Sequence, residues 1–328
     1  MPANAAQSFV STAPVPVTAD NFVRAESDRY FGAVVKQGGF GKLFHRRVPA
    51  PIDDQDVVRM NRDTLYSSIV VDLDASPVTI TLPDPGKRFM SMQIFDEDEY
   101  VVEVVYGAGR HTYNKRDIGT RYLMAGFRTL VDPDDPEDLK QVHALQDAIR
   151  VEQSDIGRFE VPAWDPASQK TVRDALLVLG ATVPDSKHMF GARDEVDPVR
   201  HFIGAAGLWG GNPEKDAIYT NVTPARNDGK TVHRLTVKDV PVDGFWSIMV
   251  YNAEGYIPKN DHNVYSLNNI TVKKGSNGAV TVQFGGFDGK TANCLPIVPD
   301  WNYTVRLYRP RREILKGQWT FPEAQPLL

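Results

Sequence analysis

The 328-residue chain has one cysteine, Cys294. That excludes an internal disulfide and fits a reducing compartment. No apolar run approaches the ~20 residues that cross a bilayer. The first twenty residues, MPANAAQSFVSTAPVPVTAD, lack the charged start and apolar stretch of a secretion signal. A soluble, cytoplasmic protein with no membrane partner is expected. Positive charge is also scarce: 37 Lys and Arg against 42 Asp and Glu give a net charge of −5. A nucleic-acid partner needs a basic footprint, so none is expected. The one basic cluster, RPRR (309–312), reads as the solvated end of a strand. Phosphate loops are missing too, because GGFGK (38–42) lacks the Walker spacing and the following Ser or Thr. There is no G-x-S-x-G elbow. The seven histidines form neither H-x-H nor H-E-x-x-H. No organic cofactor is expected, and a divalent metal site would have to be assembled from distant segments.

What remains is an ordinary globular composition, 41% hydrophobic and 24% charged. At ~150 residues per domain the length suggests two domains. Residues 1–17 read as a mobile arm rich in Ala, Ser, Pro and Thr. A helix is predicted over 19–36, capped by Asp20, with Phe22, Ala25, Arg29 and Ala33 on one face. The rest of 18–131 carries short β-branched or aromatic runs (SSIVVDLD, VTITLP, FMSMQIFD, EYVVEVVYG) parted by turn residues. DEDE (96–99) reads as a solvated turn.

Residues 132–211 read as a helical insert. Helix starts are predicted at Asp135-Pro136, Asp165-Pro166 and Asp197-Pro198, each an N-cap followed by proline. From 212 to 328 the runs IYTNVTP, VHRLTVKDV, FWSIMVYN, NNITVKKG, AVTVQFGG and NYTVRLYRP predict strands, with NDGK, GSNG and FDGK as hairpin turns. Strands this short and dense suggest a sandwich or jelly roll.

The segments VVRMNRDTLYSS, RHFIGAAGLWGGNPEKDAIY, VPVDGFWSIMVYNAEGY, NDHNVYSLNN and NYTVRLYRPRREILKGQWTFPEAQP together resemble the paired DUF1254/DUF1214 proteins. The resemblance runs from about 20 to 326. It implies a mainly β fold with a helical insert: two β-sandwich-type domains, the N-terminal one immunoglobulin-like and the C-terminal one jelly-roll-like, in a homo-oligomer. The chain looks like a short form, since longer relatives carry more sequence between the first sheet and the helices. They often have tryptophan where this chain has Cys294.

Candidate site residues come from four segments. In NRDTLY, Asn61 and Asp63 can bond their own backbone and hold a turn at the start of a strand. Alternatively Asp63 is a general acid or base oriented by Asn61, with Tyr66 as a donor. His111, read as a loop residue in HTYNKRD, titrates near neutral pH and is a second proton carrier. In GFWSIMVYNAEGYI, alternation sends Trp246, Ile248 and Val250 to one face and Phe245, Ser247, Met249 and Tyr251 to the other. That marks a central strand, with Trp246 and Tyr251 as binding candidates. Arg306 and Tyr308 share a face in VRLYRP. Arg306 can anchor a substrate carboxylate or pair with an acid such as Asp63. Cys294 reads as a small buried residue.

The expected function is an enzyme, hydrolase- or lyase-like, acting by acid–base chemistry on a small molecule held where the domains meet. Two alternatives stand beside it. One is a non-catalytic carbohydrate- or ligand-binding or assembly module. The other is a metal-dependent enzyme joining His111 or His262 to carboxylates.

Overall fold

The computed structural model describes residues 13–55 and 58–327. In chain order the first half contains α1 (Phe22–Lys36), β1 (Phe44–His45), β2 (Thr64–Asp72), β3 (Val78–Leu82), β4 (Met90–Phe95), β5 (Val101–Tyr106), β6 (Gly109–Tyr113), α2 (Lys115–Ile118) and β7 (Tyr122–Leu130). Next come α3 (Pro136–Ala148), β8 (Arg150–Gln153), α4 (Pro166–Gly180) and α5 (Pro198–Gly207). A second β region holds β9 (Ala217–Val222), β10 (His233–Val237), β11 (Trp246–Tyr251), β12 (Ser266–Asn268), β13 (Val280–Phe284), β14 (Cys294–Leu295), β15 (Asn302–Tyr308), α6 (Arg312–Leu315) and β16 (Gln325–Pro326). The protein is mainly β, with several antiparallel sheets and a few helices.

Strands β1-β2-β7-β4-β5 form one antiparallel sheet and β6-β3-β8 another. Alternation along the central strands divides their side chains between two cores. Ile69, Val71, Met92, Ile94, Leu123 and Phe127 meet Val78, Ile80 and Leu82 of the smaller sheet. From the opposite face of the larger sheet, Val70, Phe95 and Met124 meet Phe22, Phe31, Leu176 and Ile203 of the helices. Strands buried on both faces lose the polar/apolar alternation of a half-exposed sheet, as FMSMQIF shows.

All three Asp-Pro pairs start helices. Asp135, Asp165 and Asp197 each accept a backbone N–H of the first turn, with proline at the first helical position. The 132–211 stretch is not purely helical, however, because β8 pairs with β3. The first helix starts at Phe22 behind Asn21, not Asp20, and Asn21 accepts the Thr18 N–H instead of capping. Its buried side carries Glu26, Ser27 and Asp28, while Arg29 and Ala33 fall outside it. Residues 1–12 of the expected arm lie outside the described residues. From there Val15 bridges to Trp164, and the Val17 N–H bonds Ser168 Oγ.

In the second region, β12-β11-β15-β9 and β14-β13-β10-β16 form two sheets sharing one core, which includes Trp246, Ile248, Val282, Phe284, Trp301 and Val305. NNITVKKG is not a strand: β12 ends at Asn268, whose Oδ1 accepts the N–H groups of Ile270 and Thr271 in a turn. The opposite face of the β12-β11-β15-β9 sheet is polar and aromatic, and it meets the first half of the chain.

Candidate functional site

The first contact is a seam made by residues 59–63. Arg59 sits at φ +53° and gives its Nη1 to Asn302 Oδ1 (2.9 Å) and Thr304 Oγ1 (3.0 Å). Arg306 Nη2 donates to the Arg59 carbonyl (2.8 Å) and to the Tyr251 hydroxyl (2.6 Å), while Tyr251 donates to the Met60 carbonyl (2.9 Å). Asp63 has no accessible surface, and its Oδ1 accepts from Asn268 Nδ2 at 3.1 Å. Burial pushes the Asp63 carboxyl above its ordinary range, against the opposing pull of Arg306 and Asn268. Among the described residues Asp63 Oδ2 and Arg306 Nη1 have no hydrogen-bond partner, so the two charges act across space and not as a closed pair.

A second polar group lies next to this seam. Tyr66 on β2 faces Arg128 on β7 in register, and Gln93 on β4 projects from the same side of the sheet. The second half supplies Tyr308 on β15 and Tyr219 on β9, which share a sheet face because Tyr219 lies opposite Arg306. The link after α5 closes the group with Gly210, Gly211 and Asn212. Arg128 Nη1 donates to Gln93 Oε1 (2.5 Å) and Nη2 to the Gly210 carbonyl (3.1 Å), and Gln93 Nε2 donates to the Gly211 carbonyl (2.7 Å). The guanidinium lies 5.8 Å from the Tyr66 ring centre, with Tyr219 and Tyr308 in electrostatic reach. Arg128, Tyr66, Tyr219 and Asn61 are half-buried as whole residues, whereas Tyr308, Gln93 and Asn212 are buried.

Counting donors shows what this junction can do. Asn61 Nδ2 donates to the Tyr66 and Tyr308 hydroxyls, both at 3.3 Å, and Asn212 Nδ2 donates to the Tyr219 hydroxyl at 2.6 Å. A phenol oxygen that already accepts directs its own proton elsewhere. Among the described residues none of these three hydroxyls donates a hydrogen bond, and no carboxylate forms an ion pair with Arg128. Burial, reinforced by the neighbouring tyrosines, holds Tyr308 well above its ordinary value despite Arg128 and Arg306, so it is a neutral O–H donor. The junction presents one guanidinium and three O–H groups, with no carboxylate paired to them among the described residues.

Of the expected site residues, the structure brings Asn61 and Tyr66 into this junction and leaves the others outside. Asp63 and Arg306 are buried in the seam, with no surface for a diffusing molecule to touch. Tyr251 belongs to the same seam. Trp246 is in the core of the second region, packed against Phe321 at 5.7 Å. His111 is not in a loop: it lies on β6 opposite Ile80, its buried Nε2 beside Gly109 without a hydrogen-bond partner among the described residues, in a different sheet from Tyr66. Among the described residues no group of three or more His, Cys, Asp or Glu could hold a metal ion. His262 is exposed and stacks on Phe287. Sequence reading missed Arg128, Tyr219, Gln93 and Asn212. For Arg128 a signal existed, an arginine inside the apolar run YLMAGFRTL.

The geometry defines a two-part, mainly β protein with a junction lined by a cation and hydroxyls where its halves meet. Two family models match, both described as protein of unknown function: DUF1254 over residues 40–126 and DUF1214 over residues 217–312, together more than half of the chain. The chain belongs to the family that pairs these two domains. Among solved structures it is similar to the VPA0106 protein of Vibrio parahaemolyticus, with 16% identity, 94% of this chain and 98% of that chain covered, and a TM-score of 0.69. It is also similar to an uncharacterised protein of Burkholderia cenocepacia, with 13% identity, 97% and 91% covered, and a TM-score of 0.52. At these identities the likeness is one of fold. No curated protein matches in sequence.

Proposed function

We propose that the protein binds a small organic anion, of the carboxylate class, in the pocket between its halves. One observation carries the reading: Arg128 has no carboxylate partner among the described residues and is ringed by three hydroxyls whose oxygens already accept amide protons. A charge withdrawn from water is costly unless paired, so a guanidinium with no carboxylate partner among the described residues, at a half-buried junction, fits a ligand that supplies the counter-charge. Arginine suits a planar carboxylate, and the tyrosine rings offer apolar walls. An acid–base enzyme using the same pocket is supported by Tyr308, a phenol held in its protonated form and therefore a proton donor. In that reading Tyr66 is retained from the expected catalytic set, while Asp63 and His111 drop out. The two-sheet cores also support our reading of the halves as sandwiches, immunoglobulin-like and then jelly-roll-like.

The test is calorimetric titration of the whole protein with acetate, benzoate and succinate, with sodium chloride as control. We expect at least one carboxylate to bind. Arg128→Met should remain folded and weaken that binding by at least tenfold, the scale of a lost charge-assisted hydrogen bond. Undiminished binding by Arg128→Met, or no carboxylate binding at all, refutes the reading.

A further inference from the structure

We propose that Glu99 is a positioning residue of the junction pocket: by fixing Gly210 it fixes the Arg128 guanidinium in the orientation that receives an anion. The role of Arg128 in this inference rests on the anion-binding reading above.

The DEDE stretch is not the solvated turn that its composition suggests. Asp96 Oδ1 accepts the N–H groups of Asp98 and Tyr100, which tightens the turn and carries Glu99 inward at φ +63°. Glu99 has no accessible surface. Its Oε1 accepts the Gly210 N–H at 2.9 Å, and its Oε2 has no hydrogen-bond partner among the described residues. Gly210 then passes the constraint on, since its carbonyl accepts Arg128 Nη2 at 3.1 Å. The next carbonyl, of Gly211, holds Gln93, which in turn holds Arg128 Nη1. Both bonded arms of the guanidinium therefore trace back to two consecutive glycines.

Those glycines need an external hold. Gly210 lies at φ +80°, a conformation with many alternatives open to a glycine chain. On its N-terminal side Trp209 is fixed by stacking on Tyr30 (4.3 Å) and Phe95 (5.4 Å) and by a bond from its Nε1 to Ser27 Oγ. Glu99 is the side chain that takes the Gly210 N–H itself. Burial holds the Glu99 carboxyl well above its ordinary range, and Glu26 and Asp96 add to that. A buried carboxyl with one hydrogen bond is a poor stabiliser compared with an apolar residue of similar size. What it supplies is a fixed acceptor at one point of the backbone.

The experiment uses the full chain with Glu99→Gln and Glu99→Leu. The first readout is the side-chain NMR signal of Arg128 in protein labelled with 15N-arginine, assigned by its loss in Arg128→Met. It reports whether rotation of the guanidinium is restricted. The second readout is benzoate affinity by calorimetry. Gln keeps an acceptor, so restricted rotation and affinity should stay within about twofold of the parent. Leu should free the guanidinium and weaken benzoate about tenfold, the scale of a lost hydrogen bond, in a protein that still folds. A folded Glu99→Leu with restricted Arg128 and full affinity overturns the proposal. If the parent protein binds no benzoate, acetate or succinate serves as the probe; if it binds none of the three, the anion reading fails while the Arg128 signal still tests Glu99. If Glu99→Leu does not fold, Glu99→Gln labelled uniformly with 15N decides: its Gly210 amide and Arg128 side-chain signals should shift together, and a shift of Gly210 alone, or of neither, overturns the coupling.

Discussion

The two glycines of the pocket's backbone strap should fail for different reasons when replaced, and the difference can be measured. At Gly211 an added Cβ would lie 2.3–2.6 Å from Cε2, Cδ2 and Cζ of Phe190. Real carbon pairs do not approach so closely, so the ring or the strap must move. The ring has little room: it is buried, and on its other side a Cβ on Gly204 would already touch it at 3.3 Å. Gly211 is not in the left-handed region, so backbone strain plays no part there. Overpacking of this kind costs about 1–3 kcal/mol. At Gly210 the balance is reversed. A Cβ would meet Phe95 Cζ at 3.9 Å, an ordinary contact, but φ is +80°, and a left-handed non-glycine residue costs roughly 1–2 kcal/mol.

The decisive measurement is a double-mutant cycle on Gly211 and Phe190, read by urea unfolding. Phe190→Ala alone should cost about 3–5 kcal/mol through the cavity it leaves. Adding Gly211→Ala to it should cost almost nothing, because the clash is gone and the new methyl enters the vacated space. The coupling energy should then be about 1–3 kcal/mol, favouring the pair. Gly210→Ala with Phe190→Ala should instead be additive. If Gly211→Ala and Phe190→Ala add to within about 0.5 kcal/mol, steric contact with Phe190 is not what requires glycine at 211.

Two further outcomes follow from the seam and from the buried acids. Arg306→Met leaves Asp63 buried without its nearest counter-charge and should cost about 3–5 kcal/mol in chemical denaturation; Arg306→Met with Asp63→Asn should recover most of that loss, and no recovery would show that the two charges are uncoupled. Asp28, whose Oδ2 accepts the Trp164 indole N–H at 2.7 Å, is pushed by burial up to about 6. Its folded-state value is raised, so its stabilising contribution is complete below pH ~4 and is lost as pH rises through about 6. Asp28→Asn should therefore raise the melting temperature at pH 7–8, by an amount corresponding to at most about 3 kcal/mol, and change it little at pH 4; an equal gain at both pH values would refute this.

What was legible in the sequence was what neighbours in the chain decide. The Asp-Pro helix starts need only a side-chain oxygen two or three residues from an N–H. The two faces of β11 follow from alternation alone. DEDE was misread because its burial is imposed by α1 and by the strap after α5, which local polarity does not reveal. The junction was hidden for a related reason, since Arg128, Asn212, Tyr219 and Tyr308 meet only when the two halves dock. Arg306 and Tyr308 show the limit most directly. Alternation correctly put them on one face of β15, yet they do different work. Arg306 lies under residues 59–60 and is sealed into the seam. Tyr308, two residues on, lies beside Asn61, where that cover ends. A shared strand face is a local property, but whether a residue on it becomes a brace or part of a pocket depends on how far the opposing segment extends. The stretch RMNRD therefore shapes the site through its backbone path: Arg59 and Met60 close the seam, and Asn61 reaches the Tyr66 and Tyr308 hydroxyls of the junction.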